Sequence, residues 1–263
     1  MSDAAAAAGA VRLSLEGAVA TVVFDRPAAR NAMTWGMYQQ LEQICQRLAA
    51  ATDVRVAVFR GAGGEAFVAG TDIAQFSAFR SGQDGVGYEH RIDAVIGALG
   101  ALPMPTVAVI EGWAIGGGLA IATACDFRLA TPTARFGVPI ARTLGNCLSV
   151  ANLARLEAAF GLQHTRRMLL LAQVLDAEQA LACGFLERIC DAGELDAAVA
   201  QLCAQLAALA PVTQRITKTG LARVVAQRIA DGDDLVRRCY GSADFQEGVA
   251  AFVARRQPVW RGQ

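Results

Sequence analysis

His90 and His164 are the only histidines in this chain, which rules out a histidine-rich metal centre. Aromatic residues make up only 6% of its 263 residues, too few to build base-stacking platforms. A formal net charge of +0, without a basic stripe, removes the electrostatic footprint of a nucleic-acid binder. Charge or glycine interrupts every apolar run before it reaches membrane-spanning length. The seven cysteines are odd in number and never form a C-x-x-C pair, a pattern of reduced thiols rather than of disulfides or zinc. Residues 1–10 are alanine-rich and lack the basic start and apolar centre of a secretory signal, so they read as a frayed lead-in. The expectation is a cytoplasmic protein with no metal, nucleic-acid or membrane partner.

Apolar residues are plentiful, at 54%, enough for one large domain or a domain with an appendage. Val11 to Leu15 and Ala18 to Phe24 alternate as a hairpin around Glu16-Gly17. Thr34 is placed to cap a helix through Met37, Leu41, Ile44 and Leu48. Arg55 to Phe59, Thr106 to Ile110 and Phe127 to Ala130 read as strands. A helix carrying Ile92, Ile96, Leu99 and Leu102 ends before Pro103 and Pro105. From Leu148 onward the pattern is almost wholly helical, with Pro211 starting one helix and Asp231 capping another. Strands alternating with helices, followed by helices alone, indicate an α/β core with a helical C-terminal region.

One segment stands out chemically: Ile110-Glu111-Gly112-Trp113-Ala114-Ile115-Gly116-Gly117-Gly118-Leu119-Ala120, where a strand passes into a helix N-terminus. Free amides there can point at a ligand oxygen, and three successive glycines let a carbonyl approach the main chain. Such a turn is either an oxyanion hole or simply a tight, well-packed corner. A second segment, Phe67-Val68-Ala69-Gly70-Thr71-Asp72-Ile73, follows the Gly61-Ala62-Gly63-Gly64 loop and opens another helix.

Together these two segments resemble the signature of the enoyl-CoA hydratase/isomerase, or crotonase, family. The likeness extends to Phe24 to Met33, Cys125 to Ala130, Ala134 to Gly137 and Glu247 to Phe252, in the family's order and spacing. It implies a crotonase-like spiral of repeated ββα units over residues 11–204. Residues 205–263 would form a helical region that makes homotrimers, often paired as hexamers. The implied ligand is a coenzyme A thioester, with coenzyme A entering only as part of the substrate and no separate cofactor. Its oxygen would sit between the N–H groups of Thr71 and Gly117. Coenzyme A contacts are implied at Arg26, Arg30 and Ala32, at Ala69, Gly70, Asp72 and Ile73, and at Arg255, which resembles a basic position reaching in from an adjacent subunit.

The chain departs from the family where the chemistry is done. Hydratases of this type use two glutamates, and the corresponding positions here are Ala120 and Ile140. Neither can move a proton, and the second substitution also weakens a standard isomerase reading. Asn146 and Cys147, in a loop preceding a helix, are the alternative catalytic candidates, although free cysteine is commonly a small buried apolar residue. Arg26, Arg30 and Arg255 read equally as solvated surface groups, Asp72 as a helix-start carboxylate and Asp126 as a structural one. Glu89, His90 and Asp93 read as an exposed charge cluster. Two functions follow: an acyl-CoA enzyme with a nonstandard proton-transfer group, or an acyl-CoA-binding protein or partner subunit with little turnover.

Overall fold

A computed structural model describes residues 8–227 and 229–262. It opens with β1 (Ala10–Glu16) and β2 (Val19–Asp25), paired antiparallel from Ala10 opposite Asp25 to Glu16 opposite Val19. Residues 1–7 of the expected lead-in lie outside the described residues, and Ala10 already belongs to a strand. Helix α1 (Trp35–Ala49) follows, with Thr34 Oγ1 accepting the Met37 N–H at 3.3 Å.

Three further units repeat one plan. They are β3 (Val56–Gly61), β4 (Ala66–Val68) and α2 (Gly82–Gly100); then β5 (Thr106–Ile110), β6 (Trp113–Ile115) and α3 (Gly117–Ala124). The last comprises β7 (Phe127–Ala130), β8 (Arg135–Gly137), α4 (Ile140–Thr143) and α5 (Val150–Leu170). After them come β9 (Val174–Asp176), α6 (Ala177–Ala182) and β10 (Arg188–Ile189). In each unit the first strand joins a six-stranded sheet ordered β1-β2-β3-β5-β7-β10, and the second joins a four-stranded sheet ordered β4-β6-β8-β9. The chain therefore winds as a spiral of ββα turns between two sheets. Strands β9 and β10 correct the expectation of helix alone after Leu148, because strands of three and two residues are too short to show alternation.

Strand side chains alternate between two cores. Ala57, Phe59, Ala108 and Ile110 face the main core, while Val56, Val58, Val107 and Val109 face Leu195, Val199, Cys203 and Leu206 of α7 (Ala192–Ala207). Burial on both faces explains the unbroken apolar run of β5.

Residue 205, the expected start of the C-terminal region, lies inside α7. Helix α8 (Pro211–Ala226) has no buried residue, and its Lys218 Nζ reaches Asp126 Oδ2 at 2.6 Å and Met104 O at 2.8 Å. Asp126 also accepts the Thr106 N–H at 2.7 Å, so it is the structural carboxylate the sequence suggests. Helices α9 (Asp233–Tyr240) and α10 (Ala243–Val253) fold back onto the body, where Tyr240, Phe245 and Val249 join the main core. Gly232, not Asp231, caps α9; Asp231 Oδ1 instead accepts the Asp233 N–H at 3.1 Å. No single helix among the described residues is long and apolar enough to cross a membrane.

Candidate active site

The first wall of the site is the loop after β2. Arg30 and Asn31 adopt left-handed backbone angles, with φ of 50° and 58°, a region asparagine enters more readily than most residues. The fully buried Asn31 side chain fixes this loop. Its Oδ1 accepts the Arg26 N–H at 2.9 Å, and its Nδ2 donates to Ala62 O at 2.9 Å and Ala66 O at 2.8 Å. The loop is thereby laid beside residues 69–72. Ala69 N–H donates to Arg30 O, Met33 N–H to Gly70 O and Asp72 N–H to Met33 O, at 3.0, 2.8 and 2.9 Å. This pattern skips the Thr71 amide.

The second wall is the glycine turn. Gly116 has φ 54° and ψ −118°, a conformation that side chains disfavour, and its N–H is taken by Gly137 O at 3.0 Å. Gly117 then begins α3, where first-turn amides have no intrahelical acceptor. Among the described residues neither the Thr71 nor the Gly117 N–H has an acceptor. A Cβ on Gly117 would stand 3.1 Å from Thr71 Oγ1 and would collide with Tyr38 Oη, so the two segments are in close contact. Thr71 Oγ1 lies 2.8 Å from Tyr38 Oη and 3.1 Å from Tyr88 Oη. Burial raises the Tyr38 hydroxyl to about 12 and Tyr88 well above its ordinary value, so both stay protonated at neutral pH.

Between these walls runs a cavity of about 800 Å³. Thr71, Gly117 and Asn146 line it, as do Arg26, Arg30 and Ala32 of the first loop and Ala69, Gly70, Asp72 and Ile73 of the second segment. Arg255 lines the cavity of its own chain, whereas the family likeness implied a residue reaching in from an adjacent subunit. Arg256 instead pairs with Glu247 on the exposed side. Asp72 Oδ1 accepts the Ala74 N–H at 3.2 Å, at the start of a 3-10 helix over Ile73–Ala78, and its Oδ2 pairs with Arg26 at 2.9 Å. Cys147 does not line the cavity. Its hydrogen bond with Cys239 and its burial push its thiol up, which disfavours the thiolate that a nucleophilic role would need.

A small inner chamber of about 30 Å³ shares Gly116 and Gly117 with the cavity lining. Ala120 lines this chamber and Ile140 lines the outer cavity, so the two positions where the family likeness implies glutamates do face the site.

Sequence reasoning missed the residues that join these two spaces. Tyr88 and Glu89 line both. Far from an exposed charge cluster, Glu89 is only 2% exposed. Its Oε1 accepts from Tyr240 Oη at 2.7 Å and its Oε2 from the Ser149 N–H at 2.8 Å. Burial raises this carboxyl to about 7, opposed by the donors Tyr240, Ser149 and Asn152 and reinforced by the charge of Asp93. Asn146 Nδ2 donates to Tyr240 Oη at 3.1 Å, and its Oδ1 is buried without a partner among the described residues. His90 diverges from Glu89, being exposed and paired with Asp233, whereas Asp93, one turn after Glu89, accepts from Ser149 Oγ at 3.0 Å and pairs with Arg155. Arg91, on the same helix, lies over the Trp35 ring with its guanidinium carbon 4.9 Å from the centroid.

A ββα spiral over two sheets, with helices folded back from the C-terminus, is the crotonase fold. The enoyl-CoA hydratase/isomerase family model matches residues 14–263, and the chain belongs to that family. An enoyl-CoA hydratase/carnithine racemase from Magnetospirillum magneticum has 32% identity to this chain, with 96% of each chain covered and a TM-score of 0.79. An enoyl-CoA hydratase from Mycobacterium avium subsp. paratuberculosis K-10 has 29% identity, covering 95% of this chain and 98% of its own, with a TM-score of 0.80. The short-chain-enoyl-CoA hydratase of Clostridium acetobutylicum is 27% identical over 94% of this chain and 95% of its own length.

Proposed function

We propose that this chain is an acyl-CoA enzyme that polarises a thioester carbonyl between the N–H groups of Thr71 and Gly117. The observation that carries this reading is that Thr71 and Gly117, whose amides have no acceptor among the described residues, line one cavity, one of them at a helix N-terminus. Preorganised donors of this kind stabilise a developing enolate or tetrahedral oxyanion, at about 3 kcal/mol for each donor removed. Arg26, Arg30 and Arg255 on the same cavity supply positive charge suited to the phosphates of coenzyme A, and Ala32, Ala69 and Gly70 leave room for its pantetheine arm.

Helix α8 supports a homotrimer, alone or doubled, as the working form: Val212, Ile216, Leu221 and Val224 are all more than half exposed on it. A second reading, acyl-CoA binding with little turnover, is favoured by the apolar Ala120 and Ile140.

Gly117→Pro tests the enzyme reading. It deletes one donor at the first helical position, and because its Cβ also presses on the Tyr38 hydroxyl, retained ligand binding is measured alongside turnover. Any acyl-CoA turnover should fall by on the order of 10²-fold or more while calorimetry still detects acyl-CoA. Turnover unchanged by this variant would sink the oxyanion-hole assignment.

A further inference from the structure

We propose that Glu89 is the catalytic base of this site, removing and returning the α-proton of short-chain acyl thioesters. This deepens the thioester reading and rests on it.

The geometry carries the assignment. Among the described residues Glu89 is the only carboxyl lining both the outer cavity and the inner chamber, and both spaces are also lined by Gly116 and Gly117. A thioester whose oxygen is held at Gly117 N–H thus sits in a space that the Glu89 side chain also lines. The other carboxyl on the cavity, Asp72, is held by Arg26 at 2.9 Å and caps a 3-10 helix. Ala120 and Ile140 bring no ionisable group.

The step balances within the site. A Glu89 carboxylate oxygen takes the α-proton, the C–H electron pair forms the C=C bond of an enolate, and the carbonyl electron pair moves onto the oxygen facing Thr71 and Gly117. Return of a proton from Glu89 to the α-carbon reverses each change. No redox partner or co-reactant is required.

Burial with no attached cation among the described residues suits Glu89 to this task. From its own helix it faces Tyr88 and Asp93, and Arg155 is already paired with Asp93 at 3.0 Å. From α9 it faces Tyr240 and Cys239, from the loop before α5 Cys147 and the Ser149 amide, from α5 Asn152, and from α1 Tyr38. Desolvation therefore dominates and holds the carboxyl at about 7, where it is divided between base and acid at neutral pH. Tyr240 is a positioning residue, and Asn146 Nδ2 orients its hydroxyl in turn.

The inner chamber sets the substrate class. About 30 Å³ bounded by Ile92, Ala120, Val138, Leu148 and Leu156 admits on the order of two water-sized groups, which fits an acyl chain of a few carbons.

The test is α-proton exchange of butyryl-CoA in D2O, followed by mass spectrometry across a range of pH, with binding measured separately by calorimetry. Wild-type protein should exchange, with a rate that rises through one ionisation near neutrality. Glu89→Gln should lower the rate by about 100-fold or more and flatten the profile, with binding of butyryl-CoA retained. Tyr240→Phe removes a donor to the carboxylate, so it should keep the plateau and move the rise to higher pH, a shift that a merely structural role does not produce. This second variant decides the matter should Glu89→Gln fail to fold. Binding without exchange in the wild type, exchange in Glu89→Gln within tenfold of wild type, or an unmoved profile in Tyr240→Phe would each overturn the role of Glu89 alone. Absence of binding would overturn the thioester reading itself.

Discussion

Tyr240 Oη donates to Glu89 Oε1 at 2.7 Å across 151 positions of sequence, joining a helix of the C-terminal region to the helix that borders the candidate site. The contact is close because Gly85, one turn before Glu89, carries no side chain: a Cβ there would collide with the Tyr240 ring. Phe76 and Phe245 complete the packing around that ring. The C-terminal helices thus contribute to the site from within a single chain, apart from any part they play in assembly.

The Glu89 carboxyl has a consequence for stability. Its folded value of about 7 lies above its ordinary 4.5, so the folded state binds this proton more tightly than the unfolded state does. The resulting stabilisation is full below about pH 4.5 and is lost as pH rises through 7, with a span of about 3 kcal/mol. Urea unfolding of wild type and Glu89→Gln in parallel should show wild type losing ground to the variant between pH 5 and 8. A constant difference across that range would show that Glu89 does not titrate as described.

Asn31 is a test of how the cavity wall is held. Asn31→Ala removes three hydrogen bonds and leaves Ala66 O buried beside an alanine in a left-handed conformation. The expected cost is about 2–4 kcal/mol, with weaker acyl-CoA binding as the Arg26–Ala32 loop loosens. Asn31→Asp keeps the acceptor for Arg26 N–H but turns a carboxylate oxygen toward two carbonyls, so it should be no better than alanine. Thermal and urea denaturation together with calorimetry check both effects. Wild-type stability in Asn31→Asp would contradict the donor role of Nδ2.

Much of this architecture is legible in the sequence because its signals are local. The Thr106–Ile110 and Phe127–Ala130 strands, the Thr34 cap and the Pro211 helix start all follow from neighbouring residues. The segment Arg80 to Tyr88, glycine-rich and without helical periodicity of its own, is mostly the first turns of α2, with Asp84 Oδ2 accepting the Ser81 N–H at 2.8 Å. Glu89 was legible in principle. Positions 85, 89, 92 and 96 follow the i, i+4, i+7 spacing of one helical face, which placed its carboxyl among Ile92 and Ile96. Charge outweighed position in the sequence reading, since glutamate on a helix is usually solvated. The Tyr240 and Ser149 donors could not be read at all, because they arrive from distant segments.

Assembly gives a separate prediction. Val212, Ile216, Leu221 and Val224 leave α8 with an apolar surface that the rest of its own chain does not cover. Light scattering should report a trimer or a multiple of it, and Ile216→Glu combined with Leu221→Glu should yield smaller species with little change in helical circular dichroism. A wild-type monomer at micromolar concentration would rule out α8 as the interface.

The last prediction concerns the two apolar positions that face the site. Ile140 borders the large outer cavity, so Ile140→Glu can be housed without displacing a neighbour, whereas Ala120 borders a chamber of only about 30 Å³ beside Glu89. A carboxyl added at Ala120 would meet both desolvation and a like charge, which raise its pKa and favour a protonated acid next to an ionised Ile140→Glu base. One proton shared between two carboxyls is the arrangement that adding water across an enoyl double bond requires. The double variant should therefore hydrate crotonyl-CoA measurably, read as loss of the conjugated thioester absorbance, while either single variant should not. Each side chain fills space near the thioester, so the gain should be confined to the shortest enoyl esters. If the double variant folds, binds crotonyl-CoA and leaves the absorbance unchanged, these two positions do not flank the double bond, and the acyl group must point toward Glu89 and away from Ile140.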